Sequence, residues 1–136
     1  MDEDEAGSMY KILVVDDDQE SRELLCEFLE ANGHVALAVA DVMTALDTLG
    51  RDCEYRVVIA DLRMPNESGL DLLRKLRDQN SKHQIILMSS FISGAERKAA
   101  KALGVHALLD KPFQLTELLQ VVAELVPQQK SMGISS

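Results

Sequence analysis

With 136 residues the chain has the size of one globular domain, and its 46% hydrophobic and 27% charged content excludes the disordered, fibrous and membrane-spanning classes. Aromatics are 4% with no Trp and the formal net charge is −9, so base stacking is poorly supported and a polyanion is repelled: direct nucleic-acid binding is not expected. Four of the negative charges, Asp2, Glu3, Asp4 and Glu5, fall in an N-terminal stretch, and the placement of the rest is the informative question.

No run of about 18 apolar residues occurs, and no apolar stretch follows a basic segment at the N-terminus, so a cytoplasmic chain with no membrane partner is expected. Cys26 and Cys53 are too few for a disulfide scaffold or a thiol metal site and are expected to be reduced and at least half-buried.

Along the chain, Ile12 to Val15 is the first short apolar run, ending on Asp16, Asp17 and Asp18. Asp at such a position favours a helix cap, a role expected of Asp18. Leu24, Leu25, Phe28 and Leu29 mark the face of a first helix that stops at Asn32-Gly33. Val35 to Val39 forms a second run, followed by a short helix around Ala45, Leu46 and Leu49. Val57 to Ala60 leads into Asp61 and Leu62-Arg63-Met64-Pro65, and then Leu70, Leu73 and Leu76 mark a third helix. Ile85 to Met88 ends on Ser89 and Ser90, and Ser93 with Glu96 reads as a capping box opening a helix through Ala99 and Ala100 to Gly104. Ala107 to Leu109 ends on Asp110, Lys111 and Pro112, and a last helix carries Leu115, Leu118, Leu119, Val122, Leu125 and Val126 up to Pro127.

Uninterrupted apolar runs of strand length imply strands covered on both faces. Strand then helix, five times over, predicts right-handed crossovers and a three-layer, doubly wound α/β sandwich with a parallel sheet. The expected organisation is an acidic disordered tail over residues 1–9, a domain over 10–126, and a flexible tail or linker over 127–136.

In such a sheet the ligand site lies beyond the carboxyl ends of the strands. Asp16, Asp17 and Asp61, the hydroxyl of Ser89 and the ammonium of Lys111 all fall there. Carboxylates crowded on one rim repel one another unless a cation lies among them, and hard oxygen ligands suit Mg²⁺. A lysine and a hydroxyl facing the same spot complete a cradle for a phosphoryl group. Asp61, extending singly from its strand, is the expected nucleophile, and aspartyl phosphates are an established covalent class.

This constellation resembles the receiver domain of two-component response regulators, typified by the single-domain chemotaxis regulators. The pieces that carry it are Ile12-Leu13-Val14-Val15-Asp16-Asp17, Val58-Ile59-Ala60-Asp61-Leu62-Arg63-Met64-Pro65, Ser68-Gly69, Ile85-Ile86-Leu87-Met88-Ser89 and Lys111-Pro112-Phe113. The resemblance implies a flavodoxin-like sheet of order 2-1-3-4-5 with five helices. It implies that Asp61 is the phosphoacceptor in a phosphorelay, taking its phosphoryl group from a histidine kinase or phosphotransfer protein. Asp17 and Asp61 would then ligate Mg²⁺ directly, Asp16 through water, and the Arg63 backbone carbonyl would add a ligand. Ser89 and Lys111 would complete the catalytic set, and the Lys111-Pro112 bond would be cis. Such a chain is not an enzyme in the usual sense, but promotes its own Mg²⁺-dependent phosphorylation and dephosphorylation. The output surface would be the fourth helix, fifth strand and fifth helix, with Arg97, Lys98, Lys101 and Gln114 as candidate contacts for a downstream protein.

One position departs from the pattern: Leu108 stands where the family usually carries Tyr or Phe, which removes the phenolic handle of an aromatic toggle. Signalling would then rely on backbone shifts around Ser90 and Phe91, or on Phe91 itself. Arg63 and Phe91, two residues after Asp61 and Ser89, sit where the family tunes water access, and their bulk predicts slow loss of phosphate. The alternative from the enzyme class is a haloacid-dehalogenase-like phosphatase using Asp16 and Asp18, although Glu20 stands where that pattern has a small hydroxyl residue or Val.

Overall fold

The computed structural model describes residues 11–125. Five strands alternate with five helices: β1 (Lys11–Val15), α1 (Gln19–Ala31), β2 (Val35–Val39), α2 (Val42–Arg51), β3 (Tyr55–Asp61), α3 (Gly69–Asp78), β4 (Gln84–Ser89), α4 (Gly94–Ala102), β5 (Ala107–Asp110) and α5 (Leu115–Ala123). All strand pairs are parallel, and the sheet order is β2-β1-β3-β4-β5, as the resemblance implies. The tails expected over 1–9 and 127–136, with Tyr10 and Val126, lie outside the described residues. Among those described, no helix is long and apolar enough to cross a membrane.

The continuous apolar runs follow from the strand period of two, which sends neighbouring side chains to opposite faces. Leu13, Val15, Val58, Ala60, Ile85 and Leu87 pack on one face with α2, α3 and α4. Ile12, Val14, Val57, Ile59, Ile86 and Met88 pack on the other with α1 and α5. Each fully buried aliphatic side chain contributes roughly 1.5–3 kcal/mol.

The edge strand β2 is the exception to coverage on both faces, since Val35 is 44% and Leu37 42% exposed. Its neighbour α2 buries Val42, Ala45 and Leu49 against β1 and α3, leaving the outer strand open. Leu24, read as part of the apolar face of α1, is 54% exposed, and α1 instead buries Leu25 and Leu29. Cys26 is half-buried as expected, but Cys53, in the loop before β3, is exposed.

Every helix but the last starts on a side-chain cap. Asp18 accepts from the Ser21 N–H, Asp41 from the Thr44 N–H, and Ser68 with Asp71 and Ser93 with Glu96 form capping boxes, each cap contributing about 1 kcal/mol. The strand-to-helix turns on the carboxyl side of the sheet are thereby fixed at short length.

The opposite end is fastened by Arg77 on α3. Its guanidinium donates to the carbonyls of Leu103 (2.7 Å), His83 (3.0 Å), Ser81 (3.2 Å) and Gly104 (3.3 Å), tying the end of α3 to the end of α4. Burial, with the cations of Arg77 and Arg56 nearby, holds the adjacent His83 imidazole below its ordinary value. The unfolded chain therefore takes up a proton at His83 before the folded chain does, so stability present above about pH 6.5 is lost as pH falls through that value. Denaturant midpoints between about pH 7.5 and 5.5 are expected to drop with pH, and His83→Gln should flatten the drop. His34, also held low by burial, acts with the same sign. The same slope in wild type and His83→Gln would remove His83 as the source.

Candidate functional site

The strand order reverses between β1 and β3, because the chain first moves outward to β2 and then crosses back. Register places the candidate groups around that switch point. Val15 pairs with Ala60, so Asp16 and Asp61 follow on adjacent strands. Asp61 pairs with Met88, so Ser89 lies one residue further along β4, and Ser89 pairs with Asp110.

Asp61 is 7% exposed and fully engaged. Its Oδ1 accepts from the Arg63 backbone N–H at 2.8 Å and its Oδ2 from the Lys111 ammonium at 2.9 Å. The Lys111 N–H donates to the Ser89 carbonyl at 2.8 Å, which fixes the backbone beside β4, and the following Lys111-Pro112 peptide is cis. Gly69, the first residue of α3, allows the close packing behind the acceptor: a Cβ there would lie 2.8 Å from the Asp61 carbonyl oxygen and 2.9 Å from Leu87 Cδ2.

Asp16 is 1% exposed. Its Oδ1 accepts from the Asp18 N–H at 3.0 Å, whereas its Oδ2 is buried without a hydrogen-bond partner. A buried carboxylate oxygen without a donor is costly unless a water or a cation meets it. Asp17 is exposed at the rim beside it. The residues thus fit a hard cation. The donors at this rim are oxygens alone, the chemistry of Mg²⁺, which is usually held by one or two carboxylates, waters and phosphate oxygens; among the described residues, no three His, Cys, Asp or Glu side chains converge into a metal cage.

Ser89 is fully buried, and its hydroxyl is engaged within its own loop. It donates to the Phe91 carbonyl at 2.9 Å and accepts from the Phe91 N–H at 3.2 Å. Of the expected catalytic set, Asp61 and Lys111 are therefore in contact, while Ser89 is closed on its own loop. Phe91 is 65% exposed, and Leu108 is half-buried against the core beneath α4 with Ala99, Leu103 and Val105. Arg97, expected as an open contact, is instead paired with Asp110 at 2.9 Å, while Lys98, Lys101 and Gln114 are exposed.

Sequence reasoning missed the side-chain bonds of Arg63. Its guanidinium grips Glu96 through two bonds of 2.7 Å and the Phe91 carbonyl through one of 3.1 Å. The capping box gave a reason for Glu96, but a partner 33 residues away leaves no local signal. A mostly apolar cavity of about 510 Å³ also opens beside Lys111, lined by Leu24, Leu25, Met88, Ser90 and Phe113. This accounts for the exposure of Leu24. The phosphatase alternative loses its second acid, because the carboxylate of Asp18 caps α1.

Set against known proteins, residues 12–123 match the family described as response regulator receiver domain. The chain is 36% identical over 120 residues to Response regulator MprA of Mycobacterium avium, covering 88% of this chain and 52% of that protein. It is 30% identical over 127 residues to Sensory/regulatory protein RpfC of Xanthomonas campestris pv. campestris, covering 90% of this chain and 17% of that protein. It thus spans only about half the length of the first of these relatives and less of the second. A response regulator receiver protein from Pseudomonas putida shares the fold with a TM-score of 0.82 at 34% identity, covering 85% of this chain and 97% of that one.

Proposed function

The chain belongs to the response regulator receiver domain family, and from that premise we propose that Asp61 accepts a phosphoryl group from the phosphohistidine of a histidine kinase or phosphotransfer protein. The observation that carries this is the Asp61–Lys111 contact of 2.9 Å beside the unpartnered Oδ2 of Asp16. An Asp61 oxygen attacks phosphorus, a P–O bond forms, the P–N bond breaks, and its electron pair stays on the departing imidazole nitrogen. Lys111 pairs with an oxygen of the transferred group, neutralising charge in a site where burial makes each interaction stronger. Ser89 turns from Phe91 to donate to the same group. Asp17 and Asp61, with the Arg63 carbonyl, would hold Mg²⁺ directly, and Asp16 would hold it through water. When bound, the ion supplies positive charge against the phosphoryl oxygens.

Output through α4, β5 and α5 follows from the same reading, with Lys98, Lys101 and Gln114 open to a downstream protein.

Incubation with acetyl phosphate and Mg²⁺, followed by intact mass, is expected to show a gain of one phosphoryl group, and a chelator should abolish it. Continuous release of phosphate from a generic phosphomonoester, without a stoichiometric adduct, would overturn the proposal.

A further inference from the structure

We propose that Arg63 is an exchangeable latch between the phosphoacceptor and α4, and that modification of Asp61 opens it; the inference rests on the phosphoacceptor reading above. The backbone of Arg63 is bonded to Asp61 Oδ1, so its side chain is rooted at the acceptor carboxylate. Its guanidinium is bonded to both oxygens of Glu96. Glu96 is no incidental surface partner, because its Oε1 also accepts from the Ser93 N–H and closes the capping box of α4. One carboxylate therefore joins the first turn of α4 to the loop after Asp61. The third bond of the guanidinium goes to the Phe91 carbonyl, the same atom to which Ser89 donates.

A phosphoryl group on Asp61 brings added negative charge and acceptor oxygens to within two residues of this guanidinium. Arginine's planar fork prefers bidentate pairing with phosphate, and it cannot face two anions with the same pair of N–H groups. The pair with Glu96 is 48% and 24% exposed, so opening it strands no buried charge. As Arg63 turns to the phosphoryl oxygens and Ser89 follows, the Phe91 carbonyl loses both donors and the first turn of α4 loses its bond to the loop after Asp61, while the Arg97–Asp110 pair remains. The cap of α4 on Ser93 stays intact. This polar linkage supplies a route from the site to α4 that does not use an aromatic residue at position 108.

The test is amide hydrogen exchange over residues 90–97, with and without acetyl phosphate and Mg²⁺, with intact mass taken on the same samples. Wild type is expected to exchange roughly three- to fivefold faster there once modified, the size of a partly exposed ion pair. Glu96→Gln keeps a capping-box side chain but loses the charge. It should exchange at the faster rate before modification, gain little on modification, and still form the adduct. Arg63→Ala should show the same fast exchange in the unmodified state, and unchanged exchange over β1 and β3 in both variants checks that the fold is retained. An adduct in wild type with no change over 90–97, or Glu96→Gln behaving as wild type, overturns the latch alone. No adduct in wild type overturns the phosphoacceptor reading and the latch with it.

Discussion

Asp61→Asn is expected to gain no phosphoryl group under conditions that modify the wild type to completion. The substitution is nearly isosteric, and the amide oxygen can still accept from the Arg63 N–H that now donates to Oδ1. What disappears is the anionic nucleophile, since an amide offers no oxygen able to form a stable phosphoanhydride. Lys111 loses its partner but is about one-third exposed, so water replaces the carboxylate and the stability change should stay within about 1 kcal/mol. The chemistry and the fold are therefore separated by one variant: urea midpoints near wild type, with the mass shift gone. A stoichiometric adduct persisting in Asp61→Asn would move the acceptor to Asp16 or Asp17 and sink the assignment.

Gly69→Ala is expected to damage both the fold and the phosphorylation. The added Cβ meets the Asp61 carbonyl oxygen at 2.8 Å and its carbonyl carbon at 3.2 Å. Leu87 Cδ2, at 2.9 Å, belongs to a fully buried side chain. The Leu87 methyl has little room to yield, and the Asp61 backbone is held in β3 by its pairing with β4. Overpacking of this kind costs about 1–3 kcal/mol. Relief by moving Asp61 misplaces the nucleophile, and a displacement of about 1 Å can slow a positioned reaction on the order of a hundredfold. Gly50→Ala provides the contrast, because its Cβ meets nothing within 4 Å and helical Ala should stabilise α2 by about 0.5–1 kcal/mol. Equal urea midpoints and phosphorylation rates for wild type and Gly69→Ala would refute the steric argument.

Much of this architecture was legible because its signals are local. The five apolar runs became the five strands, and Asp18 and the Ser93–Glu96 box sit where capping chemistry puts them. The placement of the candidate residues was legible for a related reason: in a doubly wound sheet, position in the chain at a strand's end is also position at the rim. What escaped depended on packing between distant segments. Periodicity identified α1 but not that Leu24 would border a cavity. Apolar content identified β2 but not that α2 would lean toward β1, leaving Val35 and Leu37 open. The Gly69 residue was visible in a motif, yet the reason for glycine is a contact with the backbone of another element. The bonds of Arg63 to Glu96 and of Arg77 to Leu103 span 33 and 26 residues, and no local pattern encodes them.

Those two arginines give α4 unlike supports at its two ends. At the far end Arg77 holds the carbonyls of Leu103 and Gly104, which are permanent parts of the backbone. At the near end Arg63 holds Glu96, a side chain that another anion can replace. Released at Glu96, the helix would keep its hold at Arg77 and the Arg97–Asp110 pair, so the expected motion is a tilt of its first turn about the end held by Arg77 rather than a slide along its axis. Nine residues at 1.5 Å each make an arm of about 13 Å, so a rotation of about 10° carries the first turn roughly 2 Å. Displacement would then be greatest beside the proposed phosphoacceptor and smallest near Arg77, which would grade the α4 surface along the length of the helix.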